Sequence, residues 1–267
     1  MNRVGLIAGE GKFPFLFAQA AKRRNISVIA FAFFKITNRE LKRYVDEVFW
    51  LNVGELGELL NTLKQKGIKK AIMAGKIPKV ALFNIHLKRD RETEILLKKT
   101  KEKGDNSLLT NIARRLEEEG VELLNSTTFL SHLLPSTGVL SKRSPSASEW
   151  EDVHFGKEVA KKMGELDIGQ SVVVKNKVIL AVEAIEGTDA AILRGGRLGR
   201  QGAVVVKVSR PNQDMRFDIP TVGLRTMRFL IKAKAKVLAI EAKKTLVIDR
   251  EEAIRLANKK GIAVVAV

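Results

Sequence analysis

The stretch Val4-Gly5-Leu6-Ile7-Ala8-Gly9-Glu10-Gly11-Lys12-Phe13-Pro14 decides how the first half of the chain folds. A short unbroken apolar run, Val4–Ala8, predicts a parallel strand buried on both faces. The glycines after it let the backbone approach a ligand closely, and a helix opening there offers unpaired N–H groups to a phosphate. Gly9 and Gly11 are therefore candidate substrate-binding positions. The pattern is partial, because Pro14 stands where a dinucleotide fingerprint has its last glycine. The second strand also ends in Phe33-Phe34-Lys35 rather than in the acid an NAD ribose requires. A tight strand-to-helix turn accounts for the glycines equally well.

Outward from this turn, strand and helix alternate. Phe15–Arg23 has helical spacing, Ile26–Phe33 reads as a strand, Leu56–Gln65 as a helix, and Ala71–Ala74 as a strand ending in Gly75. Leu108–Glu119 is an amphipathic helix stopped by Gly120, with Val121–Leu124 a strand beyond it. This order predicts a Rossmann-like parallel sheet with helices on both faces over residues 1–134. Lys76, just past the end of one of its strands, is a candidate anion contact.

Pro135-Ser136-Thr137-Gly138 and Ser144-Pro145-Ser146-Ala147-Ser148 form loops, so residues 135–149 are expected to be a linker. A second, mixed α/β domain is expected over 150–267. It opens with a helix at Val153–Met163, followed by strands Gln170–Val174, Val178–Ala184 and Ala203–Val208. Lys175-Asn176-Lys177 reads as a hairpin turn. Helix–strand pairs Arg225–Ala235 with Val237–Glu241, and Arg250–Lys259 with Ala263–Val267, complete it.

The carboxylates of this second half carry the chemistry. Val182-Glu183-Ala184-Ile185-Glu186-Gly187-Thr188-Asp189 places two acids, a hydroxyl and a glycine directly after a strand, with Arg194 further on. Acids at a strand end offer the hard oxygen ligands Mg²⁺ takes alongside phosphate oxygens. Asp189 capping a helix is the competing reading. Downstream, Asp214 and Asp218 lie among Arg210 and Arg216, and Pro220 fixes the backbone after Asp218. That alternation suits a metal with a diphosphate, and a structural salt bridge is the alternative.

Other chemistries are poorly supplied. With no cysteine there is no disulfide, thiolate metal site or thiol nucleophile. His86, His132 and His154 lack metal spacing, and neither a Gly-x-Ser-x-Gly elbow nor a Walker sequence occurs. The net charge of +18 points to an anionic partner. It is scattered through solvated helix faces such as Leu97-Lys98-Lys99-Thr100-Lys101-Glu102-Lys103, and with one Tyr and two Trp it does not suit nucleic acid. No apolar run reaches the roughly 20 residues of a membrane span. The start is too short and glycine-punctuated for a signal peptide, so a cytoplasmic address is expected.

Gly5-Leu6-Ile7-Ala8-Gly9, Leu166-Asp167-Ile168-Gly169-Gln170, Val182-Glu183-Ala184 with Glu186-Gly187-Thr188-Asp189-Ala190, and Asp218-Ile219-Pro220-Thr221-Val222-Gly223 together resemble the LpxI family in order and spacing. Glu10 departs from it, standing where the family commonly has a glycine. The resemblance implies two α/β domains with substrate between them, a homodimer, and Mg²⁺-dependent hydrolysis of UDP-2,3-diacylglucosamine to UMP and 2,3-diacylglucosamine 1-phosphate. It places the essential aspartate at Asp218, for metal binding or activation of water. On their own chemistry, and not from the resemblance, Asp189 and Glu186 rank next as catalytic groups, Asp189 also as a metal ligand, and Thr188, Arg194 and Lys207 as phosphate contacts. Ala81-Leu82-Phe83 is a candidate acyl contact. The charge suggests transient contact with the inner face of the cytoplasmic membrane. A nucleotide-sugar or dinucleotide binding protein without hydrolase activity is the alternative.

Overall fold

Val4, Leu6 and Ala8 are fully buried and Ile7 nearly so, because strand β1 (Arg3–Ala8) lies in the middle of a sheet covered on both sides. It pairs in parallel with β2 (Ser27–Phe33) and, on its other edge, with β4 (Lys70–Ala74). Strand β3 (Glu47–Leu51) lies outside β2 and β5 (Glu122–Leu123) outside β4. The order β3-β2-β1-β4-β5, all parallel, is that of a Rossmann-like layer, as the sequence predicts. The structure, a computed structural model, describes residues 2–77, 89–100, 106–211 and 213–267. Ala81-Leu82-Phe83, His86 and Lys101-Glu102-Lys103 lie outside the described residues.

Helix α1 (Phe13–Lys22) packs against the sheet through Phe17, Ala18 and Ala21. On the opposite face, α2 (Leu56–Gln65), α3 (Arg91–Thr100) and α4 (Asn106–Glu118) cover Ile7, Ile29 and Phe31 with Leu59, Leu63, Leu96 and Leu116. Strand β3 is absent from the sequence expectations; only Leu51 of its five residues is buried.

The chain divides into two compact units. The first runs to Leu130 and also includes Met215–Phe217. Within it, the Ser126 N–H donates to Met215 O (3.0 Å), and the buried Ser126 hydroxyl lies 2.6 Å from Met73 O and 2.5 Å from Arg216 O. Arg216 pairs with Glu117, and Phe217 packs on the core of that unit.

The second unit comprises Ser131–Asp214 and Asp218–Val267. Its six-stranded sheet has the order β6-β13-β11-β9-β7-β8, built from β6 (Gly138–Val139), β7 (Ser171–Lys175), β8 (Val178–Val182), β9 (Val204–Lys207), β11 (Val237–Ile240) and β13 (Ala263–Ala266). Strands β9, β11 and β13 are mutually parallel, while β7 runs antiparallel to both its neighbours. A separate parallel pair joins β10 (Thr221–Val222) to β12 (Leu246–Val247). Valines alternate between the two faces. Val172, Val174, Val204 and Val206 meet α5 (Ala147–Glu165), and Val173 and Val205 meet the layer of α6 (Thr188–Gly199), α7 (Leu224–Lys232) and α8 (Arg250–Lys259).

Residues 135–149, expected as a linker, belong to this second unit and are built into it. Gly138–Val139 pairs with β13, and Ser146 with Glu149 forms a capping box at the start of α5. Helix α6 sits so close to its neighbours that a Cβ on Gly195 would lie 2.5 Å from Val173 Cβ, and one on Gly196 2.5 Å from Ala233 Cβ. No helix among the described residues is long and apolar enough to cross a membrane.

Two acids tie this unit together on the α5 face. Buried Asp152 accepts the Asn176 N–H (2.9 Å) and the Lys177 N–H (2.6 Å), fixing the β7–β8 turn whose two residues both have positive φ. Glu241, beyond β11, accepts from Lys161 (2.6 Å), from the Ser209 N–H and hydroxyl (both 2.7 Å), and pairs with Lys244. Burial alone would raise the Glu241 carboxyl, but Lys161, Ser209 and Lys244 together bring it from 4.5 down to about 2.

Two stability changes are expected. Asp152→Ala leaves both turn N–H groups unpaired and should cost about 2 kcal/mol, read as a lower urea midpoint. A depressed carboxyl stabilises the fold above its unfolded pKa and loses that contribution as pH falls. The stability gap between wild type and Glu241→Gln should therefore be constant above pH 4.5 and shrink toward about 2. A gap that does not change over that range would show that the carboxylate network does not stabilise the fold.

Candidate functional site

The glycine turn of the first unit is held against the neighbouring loop. The Gly9 N–H donates to Ala74 O (2.8 Å), and Glu10 and Lys76 exchange main-chain hydrogen bonds at 2.8 and 3.2 Å. A Cβ on Gly9 would lie 2.6 Å from Lys76 O, and one on Gly75, at φ +89°, 2.6 Å from Glu10 O. These glycines thus serve the approach of one loop to another. Gly11, at φ +94°, faces open space, just before the N-terminus of α1, which has no side-chain cap. The Lys76 side chain is exposed beside it. In the turn beyond β2, four residues past Phe33, the Thr37 hydroxyl donates to Ala8 O and accepts the Phe33 N–H.

A second constellation lies wholly within the second unit, at one end of its sheet. Pairing puts Ser171 of β7 opposite Lys207 of β9, and the Glu183 N–H donates to Ser171 O (2.8 Å). Along each strand the alternation that turns Val173, Ala181 and Val205 toward α6 turns Ser171, Glu183 and Lys207 the same way. An apolar face therefore ends in a row of three polar side chains. Lys207 is only 8% exposed; its ammonium donates to the Thr188 hydroxyl (3.1 Å) and Thr221 O (3.3 Å). The Thr188 hydroxyl in turn donates to Glu183 Oε1 at 2.8 Å, with Ser171 Oγ 3.4 Å away. Thr188 is the first residue of α6, whose N-cap, Gly187 at φ +82°, supplies no side-chain cap. A buried ammonium beneath an uncapped helix N-terminus is an arrangement suited to a phosphate.

The expected acids behave differently from one another. Glu186 is exposed and pairs with Arg194 (2.5 Å), which also donates to Val182 O. Its own N–H and then Arg194 hold the Glu186 carboxyl below the usual range. Arg194, expected to clamp phosphate, is occupied by that pair. Asp189 lies in the first turn of α6, not at its cap, and pairs with Arg225 (2.7 Å). Asp218 is half-buried; its N–H donates to Asp214 O (2.9 Å), and its carboxylate makes no hydrogen bond or ion pair with any described residue.

The structure thus brings Thr188 and Lys207 together and leaves the Asp218 carboxylate without a partner among the described residues, while Glu186, Asp189 and Arg194 are engaged in ion pairs. Sequence reasoning passed over Glu183, Ser171 and Arg225. The first two carry a readable signal: each is a polar residue at the end of a valine-rich strand, on the parity of the buried face.

Mg²⁺ needs few protein ligands, one or two carboxylates with water and phosphate oxygens. Asp218 fits that donor set, and Asp189 does only by giving up Arg225. Among the described residues no group of three His, Cys, Asp or Glu could hold a metal ion alone. His154 stacks on Trp150 and His132 lies in a short 3₁₀ turn. Two exposed aliphatic residues lie close in sequence to the polar row. Ile185 is 97% exposed and Leu166 72%, on two loops that touch where Gly169 packs against Glu183 O.

Comparison with known proteins gives matches over nearly the whole chain. Residues 3–133 match the LpxI N-terminal domain and residues 136–265 the LpxI C-terminal domain. A protein of Caulobacter vibrioides named UDP-2,3-diacylglucosamine pyrophosphatase LpxI is 31% identical over 277 aligned positions, covering 100% of this chain and 98% of the relative. Solved structures with partial likeness include the biotin carboxylase domain of the Hydrogenobacter thermophilus 2-oxoglutarate carboxylase (14% identity, 66% of this chain and 35% of that one, TM-score 0.28). Phosphoribosylglycinamide synthetase from Anaerococcus prevotii is another (13%, 69% and 39%, TM-score 0.27). The chain spans little more than a third of these structures, and likenesses this slight bear on neither fold nor function. With both family domains matched in order and a relative aligned from end to end, this chain belongs to the LpxI family.

Proposed function

We propose that this chain hydrolyses the diphosphate of UDP-2,3-diacylglucosamine to UMP and 2,3-diacylglucosamine 1-phosphate, a step of lipid A biosynthesis. The observation that carries the reading is the end-to-end match to a relative named for this activity. The geometry supports it through the buried Lys207, the uncapped start of α6 and an Asp218 carboxylate with no partner among the described residues. In this reading Lys207 and the first N–H groups of α6 neutralise and orient the diphosphate. Water adds to one phosphorus, the P–O–P bond breaks, and the second phosphate leaves as a monoester. Asp218 accepts the proton of the attacking water. Mg²⁺, when bound, adds charge neutralisation at the diphosphate oxygens, and Asp218 is the carboxylate that would hold it, with Asp189 second.

Gly11 and Lys76 are assigned to the nucleotide side as candidate contacts of the first unit. Ile185 and Leu166 suit contact with the acyl chains of the substrate. A homodimer, a cytoplasmic address and a transient, salt-sensitive contact with an anionic membrane face complete the proposal, the last supported by the net charge of +18.

Release of UMP from UDP-2,3-diacylglucosamine tests the reading. Wild type should be active with Mg²⁺, inactive with EDTA, and restored on adding Mg²⁺ back. Asp218→Ala should lower kcat by about 10³-fold while shifting stability by less than about 0.5 kcal/mol, because the carboxylate has no partner to lose among the described residues. No UMP release from folded wild type would overturn the hydrolase assignment in favour of a nucleotide-sugar binding protein.

A further inference from the structure

Glu183 is the one acid of the polar row, and its two oxygens are treated unequally. Oε1 accepts the Thr188 hydroxyl at 2.8 Å, whereas Oε2 is buried without a hydrogen-bond partner among the described residues. An acid kept only for folding would be expected to have both oxygens satisfied, as buried polar groups generally are. Its neighbour Glu186 has its own arginine, Arg194, so the charge of Glu183 is the one directed at Thr188.

A threonine hydroxyl has one proton and two lone pairs. With that proton given to Glu183, the lone pairs of Thr188 face outward as acceptors, and the Lys207 ammonium occupies one of them at 3.1 Å. If the proton turned toward the ammonium instead, Lys207 would lose this acceptor, and with it the contact that ties it to the start of α6, while keeping the Thr221 carbonyl. We propose that Glu183 is a positioning residue: it fixes the proton of Thr188, and through Thr188 holds Lys207 where the diphosphate is neutralised. This rests on the hydrolase reading above and adds to it the residue that keeps its phosphate-binding cation in place.

A double-mutant cycle tests it, with kcat and KM for UMP release in Mg²⁺ and thermal unfolding measured on each protein. Wild-type turnover is the control that separates the two ideas, since its absence sinks the reaction itself and not Glu183 alone. Glu183→Ala and Thr188→Val should each lower kcat/KM by about 10- to 100-fold, the scale of lost supporting hydrogen bonds. Because one acts through the other, the double variant should be no worse than the poorer single one by more than about threefold. Glu183→Gln keeps an oxygen able to accept from Thr188 and should recover to within about tenfold of wild type. Should Glu183→Ala fail to fold, the same cycle runs with Glu183→Leu, which keeps the volume and removes the acceptor, and Thr188→Val. Multiplicative losses in the double variant, or a folded Glu183→Ala within about twofold of an active wild type, overturn the assignment.

Discussion

An ammonium buried at the end of a valine-rich strand must be solvated by the protein itself, and much of the second unit is arranged around that requirement. Removing a charge from water is costly unless acceptors are fixed around it. Lys207 finds the Thr188 hydroxyl at the start of α6 and the Thr221 carbonyl of β10. Both must be held in register with β9. Helix α6 is held by an approach so close that Gly195 and Gly196 tolerate no side chain. Strand β10 is held by its pairing with β12. The polar row is therefore a property of the packing as much as of the residues in it.

The two faces of the same sheet end differ in how far they are satisfied. On the α5 face, Glu241 has partners on both oxygens and its carboxyl is drawn down to about 2. On the α6 face, Glu183 retains a buried oxygen with no hydrogen-bond partner among the described residues, and in the loop before β10 the Asp218 carboxylate likewise has none among them. Saturated networks rigidify a fold, whereas unsatisfied acceptors raise its energy and persist where a ligand completes them. The division of labour between the faces follows from that contrast.

The sequence carried the architecture well because period-two and period-3.6 patterns are long in this chain. Val4–Ala8 and Val204–Val206 are unbroken apolar runs because helices cover both sides of them. Strand β3 escaped notice because four of its five residues are only partly buried, which blurs the pattern. The two-residue strands β5, β6, β10 and β12 are too short to have a period, though β5 lies inside a run already read as a strand. At the site, motif reading located the loops but not the partners. Nothing local to Glu186-Gly187-Thr188-Asp189 reveals that Asp189 meets Arg225, 36 positions away. Register was the missing information, and only register shows that Ser171, Glu183 and Lys207 end their strands side by side.

The excursion of Met215–Phe217 into the first unit means that this unit is not a contiguous piece of chain. A single cut near residue 130 would yield an N-terminal fragment in which the buried Ser126 lacks the carbonyls of Met215 and Arg216, and Glu117 lacks its arginine. The remaining fragment would carry Phe217 exposed, immediately before Asp218. The two units are thus poorly suited to gene fusion, domain exchange or separate expression along the obvious boundary. Such exchange within the family requires this tripeptide to travel with the first unit, grafted or supplied in trans.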